Sequence, residues 1–85
     1  MKSFDYTIQD PLGLHARPAG LLVKQAKTYA STCFLEFDGK KVELTKLLAL
    51  MGLGVVQGSS VTVTAQGDDE DDAIAQLQEF FKANF

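Results

Sequence analysis

The chain has one cysteine, one histidine and no tryptophan in 85 residues. A single cysteine, Cys33, permits no intramolecular disulfide, and one histidine with one distant cysteine falls short of a metal ligand set, so neither a disulfide scaffold nor a metal centre is expected. Cys33 sits in an alternating apolar segment and reads as a small buried hydrophobe. No apolar run approaches the roughly 20 residues that cross a bilayer. Met1-Lys2-Ser3-Phe4-Asp5 lacks the apolar stretch of a secretory leader, so a cytoplasmic protein without membrane insertion is expected. Positive charge is also short. The formal net charge is −3, whereas a sequence-independent nucleic-acid binder needs a basic face to displace counterions, so no nucleic-acid partner is expected. Repeats, linkers and low-complexity stretches are missing as well, and a single domain over residues 1–85 is expected.

What is present alternates. Phe4, Tyr6 and Ile8 stand between polar residues as in a half-buried strand, and Cys33, Leu35 and Phe37 do the same before Asp38-Gly39, a two-residue hairpin signal. Lys40 to Leu44 returns as a third strand. Val61, Val63 and Ala65 alternate with Thr62 and Thr64 in a fourth, introduced by a turn at Gly58-Ser59. Helical spacing appears at Ala19, Leu22, Val23 and Ala26, again from Lys46 to Met51 with Gly52 and Gly54 as a stop, and last at Ala73, Leu77, Phe80 and Phe81. The order βαββαβα, with helices packed over one face of one sheet, is an α+β fold. The acidic block Asp68 to Asp72 complements the dipole at the start of the last helix and reads as capping and solvation.

The one histidine lies in Gly13-Leu14-His15-Ala16-Arg17-Pro18-Ala19, where turn chemistry at Asp10-Pro11-Leu12-Gly13 gives way to a helix. Pro18 falls in the first helical turn, where a missing N–H costs no hydrogen bond. His15 is then the N-cap or its neighbour. The first amides of a helix have no intrahelical acceptor, and the peptide dipoles add partial positive charge, so an anion is favoured there and a cationic imidazolium is not. The expected state is a neutral ring with a free lone pair, which is a nucleophile. A phosphoryl group taken onto it would lie beside those amides and beside Arg17, whose planar fork suits phosphate oxygens. A histidine that merely caps or decorates the surface is the plainer alternative. Hydrolysis by a triad is weak, because no serine sits at a nucleophile elbow and Asp10 is the only carboxylate in reach as an orienter.

Gly13 to Ala19 resembles the active-site signature of the histidine-containing phosphocarrier family HPr of the bacterial phosphoenolpyruvate-dependent sugar phosphotransferase system. The likeness continues through Lys24-Gln25-Ala26-Lys27, Asp38-Gly39-Lys40, Leu50-Met51-Gly52-Leu53-Gly54, Gln57-Gly58 and Val61 to Gly67 with its acidic tail, in family order and spacing. It implies a four-stranded antiparallel sheet in the order 1-4-2-3 with three helices on one side. It also implies phosphorylation of His15 on Nδ1, with stabilisation by Arg17 and the amides of Ala16 and Arg17, and no cofactor on this chain. The implied partners are enzyme I and the sugar-specific enzyme IIA domains, and the implied state is a monomer. A nitrogen-regulatory paralogue and a non-catalytic regulatory interaction protein are the alternatives. Retention of His15 and Arg17 argues against the second of these. A stand-alone enzyme or an RNA-binding domain would need a second catalytic pair or exposed aromatics on a basic sheet face, and Phe34 is a poor substitute.

Two apolar features exceed what a core requires. Leu21 shares a helix face with Arg17 and Lys24, and Leu47, Leu48 and Met51 add to Leu50 and Leu53 on a very short helix. Some of them should be exposed. An apolar patch rimmed by Lys24, Lys27 and Lys46 next to a reactive histidine reads as a docking surface for an acidic partner, with a core role for Leu47 or Leu48 as the alternative. The resemblance places Gly20, Leu21, Lys24, Lys27, Lys46, Leu47, Leu48 and Met51 at the positions that meet enzyme I and enzyme IIA. Many Gram-positive members carry a regulatory serine where this chain has Lys46, so control by serine phosphorylation is not expected, although Thr45 beside it keeps a hydroxyl.

Overall fold

The computed structural model describes residues 1–85. The elements are β1 (Lys2–Thr7), α1 (Ala16–Ala26), β2 (Thr32–Phe37), β3 (Lys40–Glu43), α2 (Leu47–Met51), β4 (Ser60–Gln66) and α3 (Glu70–Asn84). The four strands form one antiparallel sheet in the order β1-β4-β2-β3. This is the α+β architecture that the alternation and the resemblance implied.

Period-two alternation determines the two faces of the sheet. Register aligns Phe4 of β1, Val63 of β4 and Leu35 of β2 in one row, and Asp5, Thr62 and Glu36 in the neighbouring row. The first row joins the core, where Leu22 of α1, Leu50 of α2 and Ala73, Leu77 and Phe81 of α3 are all fully buried. The second row faces solvent, and there the Thr62 hydroxyl donates to Asp5 Oδ1 at 2.7 Å. Phe81 anchors the C-terminal helix to the sheet. Its ring meets Phe4 and Tyr6 edge-on, with centroids 5.7 and 5.6 Å away, a geometry that aromatic quadrupoles favour. At the hairpin, Asp38 (φ 52°) and Gly39 (φ 79°) both take the left-handed conformation of a two-residue turn whose twist matches the strands.

Several boundaries differ from expectation. β3 ends at Glu43, but Leu44 N–H still reaches the Cys33 carbonyl at 2.9 Å before its side chain turns into the core. Lys46 is the N-cap of α2 and lies outside the helix. Gly52 stays right-handed at φ −74°, so the positive φ that reverses the chain after α2 is at Gly54, 73°. Phe80 is only half-buried. Cys33 is buried as expected, and burial first, with the nearby Asp69 charge second, pushes its thiol up to about 11.

The acidic block does more than cap. Asp69 is the N-cap of α3, yet its side chain makes no bond to that helix. Its Oδ2 accepts from Ala30 N–H at 2.9 Å and its Oδ1 from Ser31 N–H at 2.8 Å, and the Ser31 hydroxyl donates to Oδ1 as well. The carboxylate thus ties the start of α3 to the segment leading into β2. The Ser31 hydroxyl first, then the Ala30 amide, holds its pKa below the ordinary 3.8. Because the folded pKa is the lower one, this stabilisation is complete above the unfolded value and is lost as pH falls through the folded one. Asp69→Asn is therefore expected to unfold at lower urea than wild type at pH 7, with the gap narrowing as pH drops below about 3.8. A gap of constant size from pH 7 to pH 3 in urea titrations would contradict this.

Candidate functional site

His15 stands where the loop after β1 becomes α1. It is the N-cap, with extended backbone angles (φ −109°, ψ 169°), and its side chain makes no capping bond. The first backbone bond of the helix runs from Ala19 N–H to the His15 carbonyl at 3.0 Å. Ala16 and Arg17 precede that bond, so their amides have no helical acceptor, and Pro18 has no N–H to satisfy. The imidazole, the Arg17 side chain and Asp10 share a shallow cleft of about 240 Å³ that also touches Pro18, Leu21 and Asn84. Arg17 is exposed and makes no ion pair. His15 Nε2 lies 3.4 Å from Asp10 Oδ2, which leaves Nδ1 on the other edge of the ring.

The loop carrying the histidine is held on several sides. Ile8 N–H donates to the Ser59 carbonyl and Gly58 N–H to the Ile8 carbonyl, each at 2.9 Å. Leu14 N–H reaches the Val55 carbonyl at 3.1 Å, and Gln57 Nε2 donates to the Gln9 carbonyl at 3.0 Å. Gly13, at φ 67°, passes so close to the 55–56 backbone that a Cβ on it would lie 2.5 Å from the Val55 carbonyl oxygen. Each of these constrains the backbone that positions a side chain with no capping hydrogen bond of its own.

The residues expected to dock differ in exposure. Leu48 is 87% exposed and Leu21 53%, Leu47 is also exposed, Met51 is half-buried, and Leu50 is the leucine of α2 that enters the core. Gly20 is half-buried, and nothing lies within 4 Å of where its Cβ would be, so that strip of α1 is bare. Lys24, Lys27 and Lys46 are exposed and unpaired. Beyond the N-terminal Met1, two further apolar residues are exposed without a signal in the periodicity. Leu12 (71%) and Val56 (62%) sit on the loops at either side of Gly13, and loops have no periodicity from which exposure can be read. The signal available for Leu12 was a large apolar residue inside a Pro-Gly turn. A second groove of about 530 Å³, between α1 and α3, contains none of the sequence-predicted site residues.

Against known proteins, residues 2–83 match the family model for the PTS HPr component phosphorylation site. The structure of HPr-C-His from Thermoanaerobacter tengcongensis superposes with a TM-score of 0.92 at 41% identity, over 98% of this chain and 93% of that one. The phosphocarrier protein HPr of Bacillus anthracis gives 0.87 at 31% identity, over 94% and 95%. Crh, the catabolite repression containing protein of Bacillus subtilis described as a swapped dimer, gives 0.78 at 41% identity, over 92% and 90%. Fold and comparisons together define a small phosphocarrier of the phosphotransferase system. The chain belongs to the HPr family. No helix is long and apolar enough to cross a membrane.

Proposed function

We propose that this protein carries a phosphoryl group on Nδ1 of His15, taking it from phosphorylated enzyme I and handing it to sugar-specific enzyme IIA domains. The observation that carries this reading is an N-cap imidazole that shares one cleft with an unpaired guanidinium, at a helix start whose first two amides, those of Ala16 and Arg17, have no acceptor. On uptake the Nδ1 lone pair attacks phosphorus in line while the donor's P–N bond breaks, the electron pair returning to the donor imidazole. Arg17 and the amides of Ala16 and Arg17 bind the equatorial oxygens, where positioning and electrostatics supply most of the rate. On release the same bond breaks toward the next partner. The chain acts as a stoichiometric relay and not as a turnover enzyme. It needs no cofactor, since magnesium and phosphoenolpyruvate serve enzyme I.

Docking through Leu21, Leu47, Leu48 and Met51, rimmed by Lys24, Lys27 and Lys46, supports an encounter with an acidic partner that is fast and brief. Lys46→Glu is expected to slow transfer from enzyme I by about two- to tenfold at low salt, with the difference shrinking as salt is raised. Equal rates for both proteins at low salt would remove Lys46 from the docking surface. Sedimentation separates a monomeric carrier from a swapped dimer of the kind described for Crh.

The reading is tested by incubating the protein with phosphoenolpyruvate, magnesium and an active enzyme I and following intact mass before and after acid. One acid-labile phosphate per chain is expected. No gain, or a gain that survives acid, would overturn it.

A further inference from the structure

We infer that Asp10 is a positioning residue that selects the tautomer of His15, keeping the proton on Nε2 and the lone pair on Nδ1. The inference deepens the phosphocarrier reading and rests on it. Asp10 is held at its carboxylate and at its backbone. Leu12 N–H donates to its Oδ1 at 2.8 Å. The backbone N–H of Asp10 donates to the main-chain oxygen of Phe85 at 2.8 Å, and Gln9 N–H joins it there at 2.5 Å. Phe85 is buried, with its ring 5.1 Å from that of Phe81. Oδ1 is thus committed to the backbone, and Oδ2 is the oxygen that faces His15 Nε2 at 3.4 Å.

An ionised carboxylate can only accept, so the ring nitrogen turned toward it carries the hydrogen, and the opposite nitrogen keeps its lone pair. At 3.4 Å the contact is longer than a settled N–H···O bond, and contacts of this kind tighten as charge builds on the ring during reaction. Charge does build. When Nδ1 bonds to phosphorus and the donor's P–N bond breaks, a ring that retains Nε2–H becomes cationic directly opposite Asp10. No proton has to leave Nδ1 on uptake or return to it on release.

The geometry ranks two variants in an unusual order. Asp10→Asn keeps the Leu12 bond through its carbonyl oxygen, which turns the amide nitrogen toward Nε2. An NH₂ group donates, so Nε2 becomes the acceptor and the proton moves to Nδ1, masking the nucleophile. Asp10→Ala removes both interactions and leaves a mixture of tautomers. Uptake from enzyme I is expected to fall by at least about tenfold in Asp10→Asn and by only about two- to threefold in Asp10→Ala. A residue that merely braced the loop would give the reverse order, because asparagine preserves the brace.

The direct readout is the pair of ¹⁵N imidazole shifts of His15 in the unphosphorylated proteins, followed through the titration to the neutral ring. Wild type is expected as Nε2–H and Asp10→Asn as Nδ1–H. The same tautomer in both, or Asp10→Ala slower than Asp10→Asn, overturns the inference while wild type still takes up phosphate. Failure of the carrier reading would instead appear as no phosphate on wild type, whatever its tautomer.

Discussion

Gly13→Ala is expected to destabilise the fold by about 2–5 kcal/mol, a large share of the total stability of a domain this small. Two costs combine. A non-glycine residue held in the left-handed region loses about 1–2 kcal/mol, and Gly13 sits there at φ 67°. The new Cβ would also lie 2.5 Å from the Val55 carbonyl oxygen and 2.7 Å from Val56 Cα. Both are backbone atoms, so no side chain can swing aside, and the two loops must part at a further cost of about 1–3 kcal/mol. Gly39→Ala separates these contributions. Gly39 is also left-handed, φ 79°, but nothing lies within 4 Å of its Cβ position, so only the conformational cost applies. Urea unfolding of the two variants should differ by the clash alone. Parting the loops also breaks the Leu14–Val55 bond that precedes His15, so Gly13→Ala should slow phosphoryl uptake where Gly39→Ala does not. Equal destabilisation by the two would show that the 12–14 and 55–56 loops yield without cost.

His15→Ala is expected to abolish acid-labile phosphorylation and leave stability within about 1 kcal/mol of wild type. The loss should be complete, because the chain has no second imidazole. The small effect on folding follows from how little the ring does for the fold. It makes no capping bond, it is not part of the core cluster, and its only ion-pair contact is Asp10 at 3.4 Å. The helix begins at the same place without it, since the first bond uses the His15 carbonyl, which alanine retains. Intact mass after enzyme I treatment and a urea titration check the two halves. Residual labile phosphate on the variant would place the acceptor elsewhere, and a large fall in stability would make the ring a structural residue.

Most of the architecture was legible because this sheet has one buried and one solvated face. Phe4, Tyr6, Cys33, Leu35, Val61 and Val63 announce their strands by alternation, and Asp38-Gly39 announces the hairpin. The start of α1 was legible for a different reason: Pro18 and Gly13 bracket it to His15 or its neighbour, and the structure places the N-cap on His15. Strand order was not in the alternation, since pairing is a long-range property, and it entered with the resemblance. The short helix shows the limit of periodicity. Five residues, Leu47–Met51, are too few for a 3.6-residue period to say which leucine is inward, and the packing chose Leu50 while leaving Leu48 in solvent. Asp69 was invisible as a tertiary tie because four other carboxylates surround it in sequence with equal claim. Asp10 could be noticed only as a carboxylate near the histidine. Its orientation depends on the Leu12 amide and on Phe85, which lies at the far end of the chain and touches Asp10 only in the folded protein.

One mixing experiment tests whether His15 relays a phosphoryl group between two different partners. Phosphorylated protein, freed of enzyme I and phosphoenolpyruvate, is mixed with an unphosphorylated enzyme IIA domain, and the intact masses of both chains are followed in time. The relay predicts that each phosphate lost from this protein appears on the enzyme IIA domain, with none arising when that domain lacks its own acceptor histidine. Loss to inorganic phosphate at the rate of the isolated phosphoprotein, with nothing gained by the enzyme IIA domain, would contradict it.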